Sequence, residues 1–433
     1  MKLKTSLGAV TVLFLAWVAG CGDDSSGTNP GGTGAAADGG EPSAAGAPST
    51  SGSNTAGSSS GGAENVAGEA SGGAAGSGSV TPCVLAADWE VVDDYAYPGA
   101  TRTNAVGVAA DSAGNVLVVG LALGTGMPRG LARHSTDAGQ TWTDLNWIYG
   151  LPNDAAVDEA GNLFVTTGEV LKSDDQGESF QSVHDIPTVP ASLNDPCSTG
   201  YVATAPGGVV VAGASCDSSG WVVSKSEDAG ETWGTAFSFQ LSPGKPARMQ
   251  DVGVDDNGVA YATGYAIDAN DEMHWVTVRE GAAAGIVSDD FQLMDGATAE
   301  TLGNGFATHG TPMVTGFATD GNAVHGIVRR MTSPDNWETI DTFDTRGSDV
   351  EAAGDHFIVH GTIEDGDGIR VVTRRTDDAG GTWDPIGEYS YVAGHDSRAG
   401  KLGADPAGSF YSLVGGQDQG DIPRWIVRKL ACE

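Results

Sequence analysis

The sequence predicts an all-β fold: one ring of seven four-stranded sheets, a seven-bladed β-propeller, set behind an unstructured tether. Three observations predict it. An eight-residue turn recurs along the chain, a second turn precedes each copy at a near-constant spacing, and the strand missing from the last repeat is present before the first.

The recurring octet is Ser135-Thr136-Asp137-Ala138-Gly139-Gln140-Thr141-Trp142. It returns as Ser173-Asp174-Asp175-Gln176-Gly177-Glu178-Ser179-Phe180 and as Ser226-Glu227-Asp228-Ala229-Gly230-Glu231-Thr232-Trp233. Thr376-Asp377-Asp378-Ala379-Gly380-Gly381-Thr382-Trp383 is another copy, and Ser333-Pro334-Asp335-Asn336-Trp337 a shortened one. The Asp carboxylate suits the N–H groups of a tight turn, the Gly supplies a backbone conformation that other residues resist, and the aromatic packs between sheets. Because the set repeats, Asp137, Gly139, Trp142, Asp175, Gly177, Phe180, Asp228, Gly230, Trp233, Asp378, Gly380 and Trp383 are read as structural.

The second turn is Asp111-Ser112-Ala113-Gly114-Asn115 before Val116–Val119, then Asp158-Glu159-Ala160-Gly161-Asn162 before Leu163-Phe164-Val165. Ala205–Gly208, Asp255–Gly258 and Asp405–Gly408 repeat it, with looser copies at His309–Thr311 and Gly354–His356. These are hairpin signals between β-rich runs. Seven of them fall between residues 111 and 405, one about every 49 residues, which fits a blade of four short antiparallel strands.

The last unit, from Lys401, ends at Glu433 after three strands. Trp89-Glu90-Val91-Val92 resembles the segment that follows an octet and supplies the fourth, so the N-terminal strand closes the ring. Cysteine placement agrees. Of five cysteines, Cys21 lies in the leader and four lie in the repeat region. Pairing Cys83 with Cys432 staples the closing blade. Cys197 and Cys216 are centred on the turn Ala205–Gly208, which makes them cross-strand neighbours and the second pair.

Residues 1–20 read as an export signal: Lys2 and Lys4 precede the apolar run Leu7–Val18, which is too short for a membrane span. Val18-Ala19-Gly20-Cys21 resembles a bacterial lipobox, with Val18 in place of the usual Leu. The resemblance implies acylation of Cys21, a membrane anchor, and, with Gly22 following, an outer-membrane or cell-surface location. Residues 21–80 are almost only small and polar and read as a disordered tether reaching roughly 40 Å. Residues 81–433 form the propeller.

A formal charge of −36 excludes binding nucleic acid through its phosphates and favours cationic partners. The chain is expected to act as a monomer.

The octets resemble the Asp-box, or bacterial neuraminidase repeat. It occurs in sialidases, sortilin-type receptor ectodomains, xyloglucan-active glycoside hydrolases and a photosystem II assembly factor. The resemblance covers 83–433 and implies the propeller, but these relatives do unrelated things. A sialidase site needs an arginine triad, an aspartate acid/base and a glutamate-activated tyrosine, and the family carries a Phe-Arg-Ile-Pro motif. Here Met127-Pro128-Arg129-Gly130 and Ile422-Pro423-Arg424-Trp425 hold Pro-Arg in another order and place. Arg133, Arg279, Arg330, Arg374 and Arg428, with Lys172 and Lys225, recur near the end of the third strand and are read as one position pairing with neighbouring acids. A two-carboxylate glycoside hydrolase, or a glycan-binding relative, is the alternative function.

No His-Glu-x-x-His, phosphate loop or nucleophile elbow stands out. His356 and His360 share one face of a strand. No cofactor is expected.

A site belongs on the face that carries the second-to-third-strand turns and the links between blades. Its turns hold Asp217, Asp268, Asn270, Asp271, Glu272, Asp320, Glu364, Asp365, Asp367, Asp418 and Asp421. The blade starts add Asp154, Asp195, Asp251, Glu300, Asp349 and Asp396, nearest the channel. Asp154, Asp251, Asp349 and Asp396 are the candidate ligand face, for a cationic, peptide or glycan ligand. Asp268, Asn270, Asp271 and Glu272 form the best loop for Ca²⁺, short of the full EF-hand pattern. The reading is a lipid-anchored binding or scaffold module of the cell envelope.

Overall fold

The structure, a computed structural model, describes residues 83–433 apart from 148, 188–196, 198–199, 217–218, 282, 294–300, 309, 321–322 and 366–367. Cys21, the leader and the tether lie outside the described residues, as do Asp195, Asp217, Glu300 and Asp367. Pro82–Glu433 forms one compact unit.

Among the described residues the strands make seven four-stranded antiparallel sheets. Their inner strands, blades one to seven in order, are Arg102–Ala110, Asp154–Val157, Tyr201–Ala205, Ala247–Val254, Thr301–Ala307, Arg346–Ala353 and Ser397–Ala404. Second strands such as Val116–Leu123 and Ala260–Ile267 are buried nearly throughout, because both sheet faces pack on neighbouring blades. That is why they read as continuous apolar runs rather than as alternating ones. Trp221, Trp275, Trp425 and Phe237 fill the space between blades.

The ring closes as expected. Glu90–Tyr95 is the outer strand of blade seven, with Glu90 opposite Lys429 and Tyr95 opposite Trp425. Cys83 is bonded to Cys432, and Cys197 to its cross-strand neighbour Cys216. Disulfides persist in oxidising compartments, so the propeller belongs outside the cytoplasm. No helix among the described residues is long and apolar enough to cross a membrane.

Each octet is a hydrogen-bonded knot, and its first residue is the pivot. Ser135 Oγ accepts from Gly139 N at 2.8 Å and donates to Asp137 Oδ1 at 2.8 Å. Asp137 in turn accepts Thr141 N at 2.8 Å and the Thr141 hydroxyl at 2.6 Å. The Thr141 and Ser135 bonds hold the Asp137 carboxyl down at about 2. Ala138 and Gly139 both have positive φ, 57° and 94°, so the turn needs two left-handed residues where sequence suggested one. Phe180 is buried, and Trp142 donates to Val92 O of the preceding blade at 2.8 Å.

The recurring basic residues occupy two adjacent positions, not the single one expected. Arg133, Arg374 and Arg428, joined by Arg329, face the outer strand of the preceding blade. Arg329 grips Asp289 at 2.5 and 2.7 Å, Arg374 reaches Asp341 at 2.7 Å, Arg133 reaches Asp93 at 3.5 Å, and Arg428 lies 4.1 Å over the Tyr389 ring. The next residue along points forward to the following blade. Lys172 meets Glu231 at 3.1 Å, Lys225 meets Glu280 at 3.2 Å, Arg279 meets Asp335 at 2.6 Å, and Arg330 donates to Ala379 O at 2.5 Å. A single offset on the strand reverses the side-chain direction, which separates the two sets.

Candidate ligand site at the central channel

The inner strands enclose a cavity of about 220 Å³ on the ring axis. Valine and alanine line much of it, and one polar cluster stands among them: Asp154, Asp251, Asp349, Glu351 and Lys401.

Local structure places the aspartates. In blades four and six the inner strand shifts register between Met249 and Asp251 and between Gly347 and Asp349, and the Asp follows the bulge directly. Asp154 begins the inner strand of blade two. Each carboxylate then crosses to the next blade. Asp154 Oδ2 accepts Val202 N at 3.1 Å, Asp251 Oδ2 accepts Phe306 N at 3.0 Å, and Asp349 Oδ2 accepts Leu402 N at 2.7 Å. The aspartates thus tie blade two to three, four to five, and six to seven. Their other oxygens take Ala155 N at 2.9 Å and Val252 N at 3.0 Å in blades two and four.

Lys401 is the cation of the cluster. The inner strand of blade seven shifts between Ala399 and Leu402, and this wider bulge carries Gly400 and Lys401. Lys401 Nζ sits 2.9 Å from Asp251 Oδ1 and 3.8 Å from Asp349 Oδ1. His360, fully buried behind it, has Nε2 2.7 Å from Gly400 O, which fixes the bulge.

Burial pushes all three aspartates above the usual carboxylate range, against the pull of Lys401. Burial also lifts Glu351, to about 7. Lys401 is held well above the ordinary lysine value by Asp251, Asp349 and Asp154 in spite of its burial. Four carboxyl groups therefore share one lysine, and burial makes each of them a weaker acid than an exposed carboxyl.

At the mouth of the channel, where the inner strands begin, basic residues gather. The inner strands of blades one, four, six and seven begin with Arg102, Arg248, Arg346 and Arg398 at or near their first residues. Arg248, Arg346 and Arg398 hold one blade position, a residue pair ahead of the bulge. Arg346 lies 4.4 Å over the Phe317 ring. Burial, and then the charge of Arg398, lower the proton affinity of Arg102, whose Nε donates to Asn104 Oδ1 at 3.2 Å.

Of the four expected face residues, the structure brings Asp154, Asp251 and Asp349 together in the channel. Asp396 stands apart, 3.6 Å from Arg398 at the mouth. Acids of the second-to-third-strand turns are met locally: Asp365 by both nitrogens of Arg370 at 2.8 and 2.9 Å, Asp421 by His395 at 2.9 Å, and Asp271 by Lys245. Asp268, Glu272 and His274 converge in the turn expected to suit Ca²⁺. Of the two strand histidines, His360 is buried and His356 pairs with Asp377 at 2.7 Å. Sequence reading missed Lys401, Glu351 and the mouth arginines. Lys401, Arg248, Arg346 and Arg398 share one signal, a basic residue in or just ahead of the inner-strand bulge, which is visible only once the blades are aligned, and Glu351 has no such signal.

No family model matches the sequence, and no curated protein matches it. Among solved structures, the chain is similar to YCF48 bound to a D1 peptide, with TM-score 0.49 and 14% identity over 80% of this chain and 97% of that one. It is also similar to the GH74 xyloglucanase from Xanthomonas campestris, with TM-score 0.48 and 14% identity over 78% of this chain and 55% of that one. A Hadza microbial sialidase aligns with TM-score 0.46 and 11% identity over 77% of this chain and 66% of that one. The likeness is one of fold.

Proposed function

We propose that the protein is an envelope-anchored binding module, held through acylated Cys21 and a long tether, whose channel mouth takes an anion-bearing partner. The observation that carries this is the set Arg248, Arg346 and Arg398 at one blade position with Arg102 beside it, in a chain of formal charge −36. Guanidinium groups present planar forks suited to carboxylates. A carboxylate-bearing peptide or acidic glycan is the ligand class this chemistry favours. The contacts of Lys401 with Asp251 and Asp349 support an anionic ligand over the cationic one expected from the acids alone.

Hydrolysis is the weaker reading. A carboxylate pair that cleaves a glycosidic bond must reach the substrate, whereas Asp154, Asp251 and Asp349 spend their oxygens on backbone N–H groups of the next blade.

The test is binding of an oligoglutamate peptide and of an oligogalacturonate, followed by fluorescence anisotropy at low and high salt. The parent chain is expected to bind one or both, more weakly at high salt. The charge reversal Arg248→Glu/Arg346→Glu/Arg398→Glu is expected to abolish binding. Equal binding of acidic and neutral probes, or turnover of a glycan, would overturn the proposal.

A further inference from the structure

Blades four and seven carry the same second-to-third-strand turn, residue for residue, and the differences between the two copies expose a metal site. In blade four Asp268 Oδ1 accepts Asn270 N and Glu272 N, both at 2.8 Å, and Asp271 has φ 69°. In blade seven Asp418 Oδ1 accepts Gly420 N at 2.8 Å and Ile422 N at 3.1 Å, and Asp421 has φ 60°. The fourth residue of each turn meets a basic group from the adjoining link, Lys245 on Asp271 and His395 on Asp421. The turn therefore forms with Ile422 where blade four has Glu272, and with Arg424 where blade four has His274. Neither Glu272 nor His274 is needed to build it.

The outer strand shows what the substitution does. Asp94 in blade seven and Asp290 in blade four hold equivalent places, opposite Ile426 and Val276. Asp94 spends its carboxylate on the guanidinium of Arg424, at 2.7 Å. Asp290 instead sits 2.6 Å from His274 Nδ1. That contact fixes the tautomer with the proton on Nδ1 and leaves the Nε2 lone pair outward from Asp290. His274 Nε2 is sealed from solvent and has no hydrogen-bond partner. It lies 4.0 Å from Asp268 Oδ2, and ligand atoms of Asp268, Glu272 and His274 all fall within 4.8 Å of one another. A carboxylate that orients a histidine whose other nitrogen meets two more carboxylates is the outer-shell arrangement of metal-binding histidines.

We propose that Asp268, Glu272 and His274 bind one divalent transition-metal ion of the Zn²⁺ class, with Asp290 as the positioning residue behind the histidine. An imidazole ligand favours such an ion over Ca²⁺, which takes oxygen ligands. Zn²⁺ bonds of about 2.0–2.2 Å ask for ligand atoms roughly 3–4 Å apart, so a small rotation of Glu272 completes the set once Asp268 Oδ2 exchanges its bond from Asn270 Nδ2, 2.9 Å long, for the ion. Three protein ligands leave a coordination position for water or for a donor group of a partner at the link face.

The test uses the full chain without a polyhistidine tag, stripped with chelator and titrated with ZnCl₂ by calorimetry, with CoCl₂ as the spectroscopic probe. Two variants copy blade seven: Glu272→Ile and His274→Arg. Both keep the turn that Asp418 already builds with those neighbours. The parent is expected to bind one equivalent of Zn²⁺ and to show the visible bands of Co²⁺ bound through nitrogen. His274→Arg is expected to lose both, Glu272→Ile to weaken binding at least about tenfold, and Asp290→Asn to weaken it about 10–100-fold. Absence of Zn²⁺ binding by the parent, or equal binding by parent and both blade-seven variants, would overturn the proposal, as would binding of Ca²⁺ unaffected by His274→Arg.

Discussion

Lys401 Nζ lies 2.9 Å from Asp251 Oδ1, a bond that joins blade seven to blade four across the channel. With Asp349 at 3.8 Å, and Asp154 also raising its proton affinity, this lysine makes the channel carboxyls tolerable in an apolar setting. It belongs to the packing of the ring more than to any exposed surface.

Lys401→Met should therefore destabilise the propeller by about 3–5 kcal/mol near pH 8, because it leaves buried carboxylates without their cation. The loss should shrink in acid. Without Lys401 the folded-state carboxyl values rise further, the folded chain binds more protons than the unfolded one, and stability falls more steeply as pH rises. Urea unfolding of parent and variant at pH 5 and pH 8 checks this. An equal loss at both values would show that Lys401 acts by packing alone.

Glu351 provides a cleaner titration. Burial lifts it from 4.5 to about 7, with Asp251 and Asp154 adding to the rise, while the bond from Ala352 N and Lys401 oppose it. A raised carboxyl binds its proton in the folded state over a window where the unfolded chain has released it, so its contribution declines from about pH 4.5 to about pH 7 and then levels. Glu351→Gln keeps an acceptor for Ala352 N and removes the titration. It should match the parent below pH 4.5 and exceed it by roughly 1–3 kcal/mol at pH 8. Paired unfolding curves across that range measure the difference, and a gap that does not change with pH would refute the assignment.

In the octets, the sequence points at the Asp and the structure at the residue two places before it. Ser226 is buried, accepts Gly230 N at 2.9 Å and donates to Asp228 Oδ1 at 2.8 Å. Ser226→Ala leaves the Gly230 N–H without its acceptor inside the fold, at a cost of about 1–3 kcal/mol. Ser226→Thr should retain most of the stability, because blade six builds the same knot on Thr376, whose Oγ1 accepts Gly380 N at 2.9 Å. Thermal unfolding of the two variants separates hydroxyl chemistry from side-chain volume.

What the sequence reveals here is what lies close along the chain. The octets and the Asp111-type turns bond within about five residues of themselves, so their side chains spell out the geometry: Asp111 Oδ1 accepts both Ala113 N at 2.9 Å and Asn115 N at 2.8 Å. Cys197 and Cys216 could be paired because a hairpin relates them by symmetry about its turn. Lys401 is opaque for the opposite reason. It rides on a bulge between Ala399 and Leu402, and a bulge breaks the period of two from which side-chain direction is read. The two sets of arginines show the same limit, since Arg329 and Arg330 are adjacent in sequence yet serve different neighbouring blades. Contacts between blades depend on ring closure, which no local pattern encodes.

Closure itself yields the last prediction. Cys83 and Cys432 are 349 residues apart, whereas Cys197 and Cys216 are separated by 19. If a disulfide acts chiefly by restricting the unfolded chain, the first should stabilise by about 6 kcal/mol and the second by about 3 kcal/mol. The first also holds a specific strand. Glu90–Tyr95 completes blade seven, and beyond it, among the described residues, Ala86 N donates to Ala431 O at 2.8 Å and Glu433 N to Val84 O at 2.9 Å to knit the termini together. The double variant Cys83→Ala/Cys432→Ala should therefore speed hydrogen exchange in Glu90–Tyr95 and in its partner Pro423–Leu430 before it does so elsewhere. Cys197→Ala/Cys216→Ala should leave both strands protected. Uniform loss of protection around the ring in the first variant would mean that the blades unfold as one unit and that the N-terminal strand is no weaker than its neighbours.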